Sequence, residues 1–282
     1  MSALPGNRVS AGWLAAHLSD PDLVILDASW HLPTAGRNAK AEFAQKRIPG
    51  ARFFDIDATS DKTSKLPHML PAADDFARDA GALGIGNGSK VVCYDSVGLF
   101  SAARCWWTFK AFGHDAVAVL DGGLPAWEKA GGPLETDSAA SPAPASFKAH
   151  LRAGMVKSMD QVAEGLRTGA FQVADARSGS RFRGEEQEPR PGVRPGHMPG
   201  ARNVHYASLL GPDGSLKPQK DLEQAFTSSG IDLEKPVVTS CGSGVTAAIL
   251  TLALTELGVK DHALYDGSWT EWGASTQPVA VR

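Results

Sequence analysis

Three cysteines in 282 residues are too few for a disulfide framework, and no two of them form a Cys-x-x-Cys pair. That count suits a reducing compartment, and the spacing matches no zinc pattern. No apolar run is long enough to span a bilayer. The opening Met1-Ser2-Ala3-Leu4-Pro5-Gly6-Asn7-Arg8 lacks a basic region followed by an apolar stretch, so no secretory signal is expected and a cytoplasmic location is. Charge of one sign is also scarce: 28 Lys and Arg against 31 Asp and Glu leave a net charge of −3, with no block of either sign. Neither a nucleic-acid partner nor an anionic membrane surface is expected.

What is present is apolar residues, 43% of the chain and spread evenly, enough for ordinary packed cores. The length suits two domains, and an internal repeat supports the same division. Val24-Ile25-Leu26-Asp27-Ala28 resembles Gln172-Val173-Ala174-Asp175-Ala176, and Ile48-Pro49-Gly50-Ala51-Arg52 resembles Met198-Pro199-Gly200-Ala201-Arg202. Lys90-Val91-Val92 before Asp95 resembles Pro236-Val237-Val238 before Cys241, and Asp121-Gly122-Gly123 with Trp127 resembles Asp266-Gly267-Ser268 with Trp272. The offsets are 175 − 27 = 148, 200 − 50 = 150, 241 − 95 = 146 and 272 − 127 = 145. Four landmarks in one order at a nearly constant offset mark a duplicated domain, and the period is too long for a solenoid unit. The expected division is a domain over 1–135, a linker over 136–152 and a second domain over 153–282. The linker, small residues with Pro142 and Pro144, is expected to be extended and stiff.

Each half alternates short β-branched runs with helical patterns, which predicts parallel sheets covered by helices on both faces. In the second half Ser158-Met159-Asp160-Gln161 has the form of a capping box ahead of a helix. Strands are expected over 171–174, 236–240 and 262–265. Helices are expected over 222–228 and over 246–257, the latter ended by Gly258.

Ser240-Cys241-Gly242-Ser243-Gly244-Val245-Thr246 falls between a strand and a helix. Ligands of open α/β sheets bind at the carboxyl ends of strands. A cysteine there meets the unpaired N–H groups of a helix N-terminus, which favour its thiolate. Gly242 and Gly244 allow the backbone to curl so that several amides aim at one centre. Against this stands the ordinary role of a free cysteine as a small buried hydrophobe.

The run Cys241-Gly242-Ser243-Gly244-Val245-Thr246 resembles the active-site loop of the 3-mercaptopyruvate sulfurtransferases, within the two-domain rhodanese family. Asp266-Gly267-Ser268-Trp269-Thr270-Glu271-Trp272 is similar to that family's C-terminal signature. The resemblance covers nearly the whole chain. It implies two tandem rhodanese-like α/β domains, the first inactive with Asp95 in place of the cysteine. It also implies sulfur transfer through a Cys241 persulfide, with no metal or organic cofactor. The donor would be 3-mercaptopyruvate and the acceptor a thiol, thioredoxin among them, or cyanide.

Arg181-Phe182-Arg183 and Glu188-Pro189-Arg190 resemble the family's substrate-arginine stretch, which assigns Arg181 and Arg190 to the donor's carboxylate and keto oxygen. Gly242, Gly244, Val245 and Thr246 would line the donor with them. Planar guanidinium forks suit an oxyanion better than lysine does. The plain alternative is a solvated charged loop, in which Arg183 pairs with Glu185 or Glu186. The family pattern also sets an Asp–His pair beside the loop serine, here Asp57, His68 and Ser243, as a proton relay. Asp57 and His68 read equally as stabilisers of a domain interface, and the sequence leaves both readings open.

Cys93 and Cys105 read as packing residues, Asp27 and Asp175 as loop ties at strand ends, and His197 as a turn residue. Thiosulfate-using relatives carry basic residues just after the cysteine, where this chain has Gly242 and Ser243, so a thiosulfate donor is the disfavoured alternative. A Cys-x5-Arg phosphatase is excluded because position 247 is alanine. A non-catalytic binding module of this kind usually lacks the cysteine.

Overall fold

A computed structural model describes residues 3–136 and 141–282. The chain divides into two units. Unit 1 takes Met1–Asp61, Leu70–Arg152 and Gly211–Leu216; unit 2 takes Lys62–Met69, Ala153–Leu210 and Lys217–Arg282. The expected domains were continuous in sequence. Instead the short segment holding His68 counts with unit 2, and Gly211–Leu216 counts with unit 1.

In unit 1 the strands are β1 (Arg8–Val9), β2 (Leu23–Asp27), β3 (Arg52–Phe53), β4 (Lys90–Tyr94) and β5 (Val117–Leu120). They form one sheet in the order β1-β5-β4-β2-β3, every pair parallel. Alternation along the strands sorts the core. Ile25, Val92, Tyr94, Ala118 and Leu120 turn to one face, against α1 (Ala11–His17), α2 (Ala39–Gln45) and α5 (Gly123–Lys129) through Leu14, Phe43 and Trp127. On the other face lie α3 (Ala73–Ala82) and α4 (Ala102–Ala111). There Cys93 of β4 meets Cys105 of α4, with sulfurs 3.2 Å apart, both buried and unbridged. They are packing residues.

Unit 2 repeats the plan. Its strands β6 (Val156–Lys157), β7 (Gln172–Asp175), β8 (Arg202–Asn203), β9 (Val237–Ser240) and β10 (His262–Tyr265) pair in parallel in the order β6-β10-β9-β7-β8. The helices are α6 (Met159–Thr168), the single turn α7 (Gly179–Phe182), α8 (Gln219–Ser228), α9 (Ala247–Glu256) and α10 (Ser268–Ala274). The Ser158–Gln161 capping box forms in both directions. In α9 all residues from Ala247 to Leu254 are buried, so its sequence is apolar on every side. Among the described residues no helix is long and apolar enough to cross a membrane.

Part of the expected linker, residues 137–140, lies outside the described residues. Residues 141–152 form no helix or strand, and they are a packed strap on unit 1. Ala145 and His150 donate their N–H groups to the carbonyls of Gly81 and Phe112, at 2.9 and 3.0 Å. Phe147 is buried edge-on against Phe76 and Phe109. One aromatic in a stretch of small residues provides the anchor that composition alone does not reveal.

Asp27, at the end of β2, is 2% exposed and accepts the N–H of Ser29 at 2.9 Å. Burial pushes its carboxyl up to about 6, only partly opposed by the Ser29 and Tyr94 hydrogen bonds. A folded value above the unfolded one means the fold binds the proton more tightly. The stabilisation is therefore complete below about pH 4 and is lost as pH rises through about 6. Wild-type protein should lose stability relative to Asp27→Asn across that window, at up to about 1.4 kcal/mol per pH unit. Thermal midpoints of both proteins from pH 4 to 8 test this; a constant difference would remove Asp27 as the titrating group.

Candidate active site

Cys241 follows the last residue of β9, in the turn that leads to the Thr246 cap of α9. It is 2% exposed. Its sulfur accepts the N–H of Gly244 at 3.1 Å. That approach depends on Gly244, whose φ of 80° is left-handed. Gly242 needs no such freedom, since it is not among the positive-φ glycines. A Cβ at Gly242 would lie 3.2 Å from Nη2 of Arg181, so its missing side chain gives clearance to a guanidinium.

The loop is held from α10. The Cys241 N–H donates to Ser268 Oγ at 3.2 Å, and the Ser268 hydroxyl donates to the Tyr265 carbonyl. The Cys241 carbonyl accepts the N–H of Trp269 at 2.9 Å. The Gly242 carbonyl accepts both the N–H and the hydroxyl of Thr270, at 2.9 and 2.6 Å. The Asp-Gly-Ser-Trp-Thr-Glu-Trp run is thus the scaffold of the cysteine loop, a role the sequence did not reveal.

Arg181 lies on α7, beside Gly242. Its Nε and Nη2 donate to Glu188, which is nearly buried. Glu188 also accepts Nη1 of Arg177 at 2.8 Å. Arg177 in turn donates to Asp175 and to the Gly196 carbonyl, and its guanidinium lies 4.5 Å from the centre of the Trp269 ring. Burial opposes the charge on Arg177, but Asp175 and Glu188 hold its pKa above the ordinary arginine value. In sequence Arg177 and Glu188 look like members of a charged run, and only the fold brings them together. Arg190 reaches Ser243, Nη2 to Oγ at 3.5 Å, a long contact. Arg183 pairs with Glu185 in the open, as the plain reading had it. His197 is not merely a turn residue: its ring stacks on Phe182 at 3.8 Å and its Nδ1 meets the Phe182 carbonyl.

Of the relay residues, Ser243 and His68 belong to unit 2, and both are buried. His68 has a left-handed backbone, φ 63°. Asp57 belongs to unit 1, where its carboxylate accepts the indole N–H of Trp30 at 3.0 Å. Val245 and Thr246 complete the turn into α9, with Val245 buried.

Unit 1 has a loop at the same place, and Asp95 fills it. Oδ2 accepts the N–H groups of Phe100, Ser101 and Ala102 at 2.7, 2.9 and 2.9 Å, and Oδ1 accepts that of Val97 at 3.0 Å. The converging amides that would hold a ligand anion hold a side-chain carboxylate instead. Removing it should strand several buried donors at about 1–3 kcal/mol each. Asp95→Ala should therefore lower stability by at least about 2 kcal/mol in denaturant unfolding. An unchanged midpoint would mean that water satisfies those amides equally well.

A family model described as Rhodanese-like domain matches residues 10–130 and 158–275. The chain is 46% identical over 279 residues to human 3-mercaptopyruvate sulfurtransferase, covering 97% of this chain and 94% of that protein. It is 44% identical to thiosulfate/3-mercaptopyruvate sulfurtransferase 1, mitochondrial, of Arabidopsis thaliana, covering 96% of this chain and 76% of that protein. The crystal structure of a 3-mercaptopyruvate sulfotransferase from Escherichia coli superposes with a TM-score of 0.86 at 40% identity, covering 94% of this chain and 99% of that one.

Proposed function

The chain belongs to the rhodanese family, and we propose that it moves a sulfane sulfur from 3-mercaptopyruvate to a thiol or cyanide through a persulfide on Cys241. One observation carries the reading. A cysteine sulfur that accepts a backbone N–H lies in a loop whose neutral Gly242 is overlain by the guanidinium of Arg181. The positive charge at this loop is brought in by arginines from outside it, in a fork suited to a carboxylate and its neighbouring keto oxygen.

In the first half-reaction the Cys241 thiolate attacks the donor's sulfur. The new S–S bond forms as the C–S bond breaks, and its electron pair passes to the carbon as pyruvate enolate. Arg181 and Arg190 take the carboxylate and the developing enolate oxygen. A proton then converts enolate to pyruvate. We assign that proton's movement to Ser243, His68 and Asp57; a neutral imidazole is a competent carrier near pH 7. In the second half-reaction an acceptor thiolate, thioredoxin's among the candidates, or cyanide attacks the outer sulfur and releases Cys241 as thiolate. Gly242, Gly244, Val245 and Thr246 shape the turn around that sulfur. We also assign the chain to the cytoplasm, where three unbridged cysteines are in keeping with a reducing medium.

Treatment with 3-mercaptopyruvate but no acceptor should add one sulfur, found by mass spectrometry in the peptide holding Cys241. Cys241→Ser should remain folded and lose transfer. An adduct on Cys93 or Cys105, or normal turnover by the serine variant, would overturn the assignment.

The donor is tested separately, since the Arabidopsis relative's name includes both donors. Pyruvate release and sulfur transfer with 3-mercaptopyruvate should exceed transfer from thiosulfate. Losing one charged hydrogen-bonding partner costs about 1.5–3 kcal/mol, or about ten- to a hundredfold. Arg181→Ala and Arg190→Ala should each lower kcat/KM for 3-mercaptopyruvate by that much. Preference for thiosulfate in the unmodified protein would leave only the broader sulfurtransferase assignment.

A further inference from the structure

Arg181 is joined to the sheet by a buried relay of alternating charge. Asp175, at the end of β7, holds Arg177; Arg177 holds Glu188; Glu188 holds Arg181. The side chains of Asp175, Arg177 and Glu188 are 0%, 1% and 4% exposed, and that of Arg181 is 21% exposed. We propose that Glu188 is the positioning residue for the donor grip: it fixes the guanidinium plane of Arg181 over Gly242 so that one edge is left for the donor's oxyanion.

The geometry of the fork supports this. A guanidinium has five N–H donors in a rigid plane. Glu188 takes the edge made by Nε and Nη2. The adjoining end edge, made by Nη2 and Nη1, is turned to the cysteine loop, with these atoms 3.2 and 3.8 Å from the Cβ position of Gly242. An arginine with no such anchor has several rotatable bonds to order before it can bind a planar carboxylate. A carboxylate fixed from behind removes that ordering step from donor binding.

The duplication offers an internal comparison. In unit 1 Arg37 holds Glu42 with the same two-point grip, at 2.8 and 2.7 Å, and reaches Ser96 beside Asp95 at 3.2 Å. There the Arg–Glu pair is 39% and 33% exposed. By the 148-residue offset, 177 − 29 = 148, the position of Arg177 is taken by Ser29. The copy whose loop carries no cysteine thus keeps an open surface pair. The copy with the loop cysteine buries its carboxylate and ties it to the sheet.

This inference rests on the reading of Arg181 as a donor ligand, and the experiment separates the two. Persulfide loading by 3-mercaptopyruvate and discharge by cyanide of protein preloaded with polysulfide, a donor without a carboxylate, are followed apart. Glu188→Gln should slow loading about tenfold, mainly through KM, and leave discharge within about twofold. In an Arg181→Ala background Glu188→Gln should have almost no further effect on loading. Glu188→Asp keeps the charge but withdraws it by one methylene; it should give a smaller loading defect with normal discharge, and it decides the matter if the glutamine variant does not fold. Equal losses in loading and discharge, or an undiminished effect in the Arg181→Ala background, would overturn the positioning role while leaving Arg181 a ligand. If Arg181→Ala alone loads normally, the ligand reading fails, and the positioning role falls with it.

Discussion

A loop that turns a backbone N–H onto a sulfur leaves carbonyls facing other ways, and those carbonyls need donors from elsewhere. At Cys241 they find them in Trp269 and Thr270, next to a serine that takes the Cys241 N–H. Ser268 receives the Cys241 N–H, Trp269 caps the Cys241 carbonyl, and Thr270 caps that of Gly242 with two donors. The start of α10 is therefore as much a part of the cysteine loop as the loop's own residues. Trp269 is tied on its other side: its indole N–H donates to the Arg194 carbonyl, and Arg177 stacks on its ring. The cysteine loop and the Arg177–Glu188–Arg181 chain are braced by the same tryptophan.

The duplicated copy illustrates the same constraint with an aspartate in the loop instead of a cysteine. Four amides still converge in unit 1, and an empty cradle would leave them without an acceptor in the interior. Asp95 is the anion that the loop provides for itself. Substituting an apolar side chain would have left the donors exposed to a cavity. The Asp95 loop therefore has an exacting chemistry of its own.

Much of this was legible in the sequence because it rests on local rules. The capping box at Ser158, the strand at 262–265, the apolar helix ended by Gly258 and the strand-to-helix placement of Cys241 depend on neighbours in the chain, and they form where expected. The Arg181 and Arg190 motif was legible only as a resemblance. The burial of Glu188 between two arginines was not legible at all, because an exposed and a buried charged run have the same letters. Gly242 invited a conformational explanation, whereas the cause is the guanidinium next to it. The inclusion of Lys62–Met69 in unit 2 breaks the rule that a domain is a continuous stretch, and periodicity carries no trace of it.

The depth of Cys241 has a consequence for timing. At 2% exposure the resting sulfur is recessed. The persulfide we propose adds an atom one S–S bond further on, about 2.05 Å. On that proposal the resting form and the loaded form differ in how far the reactive sulfur reaches. Bulky electrophiles find little to attack on the first. An acceptor's nucleophile would have its target only on the second, so cargo and reach would arrive together.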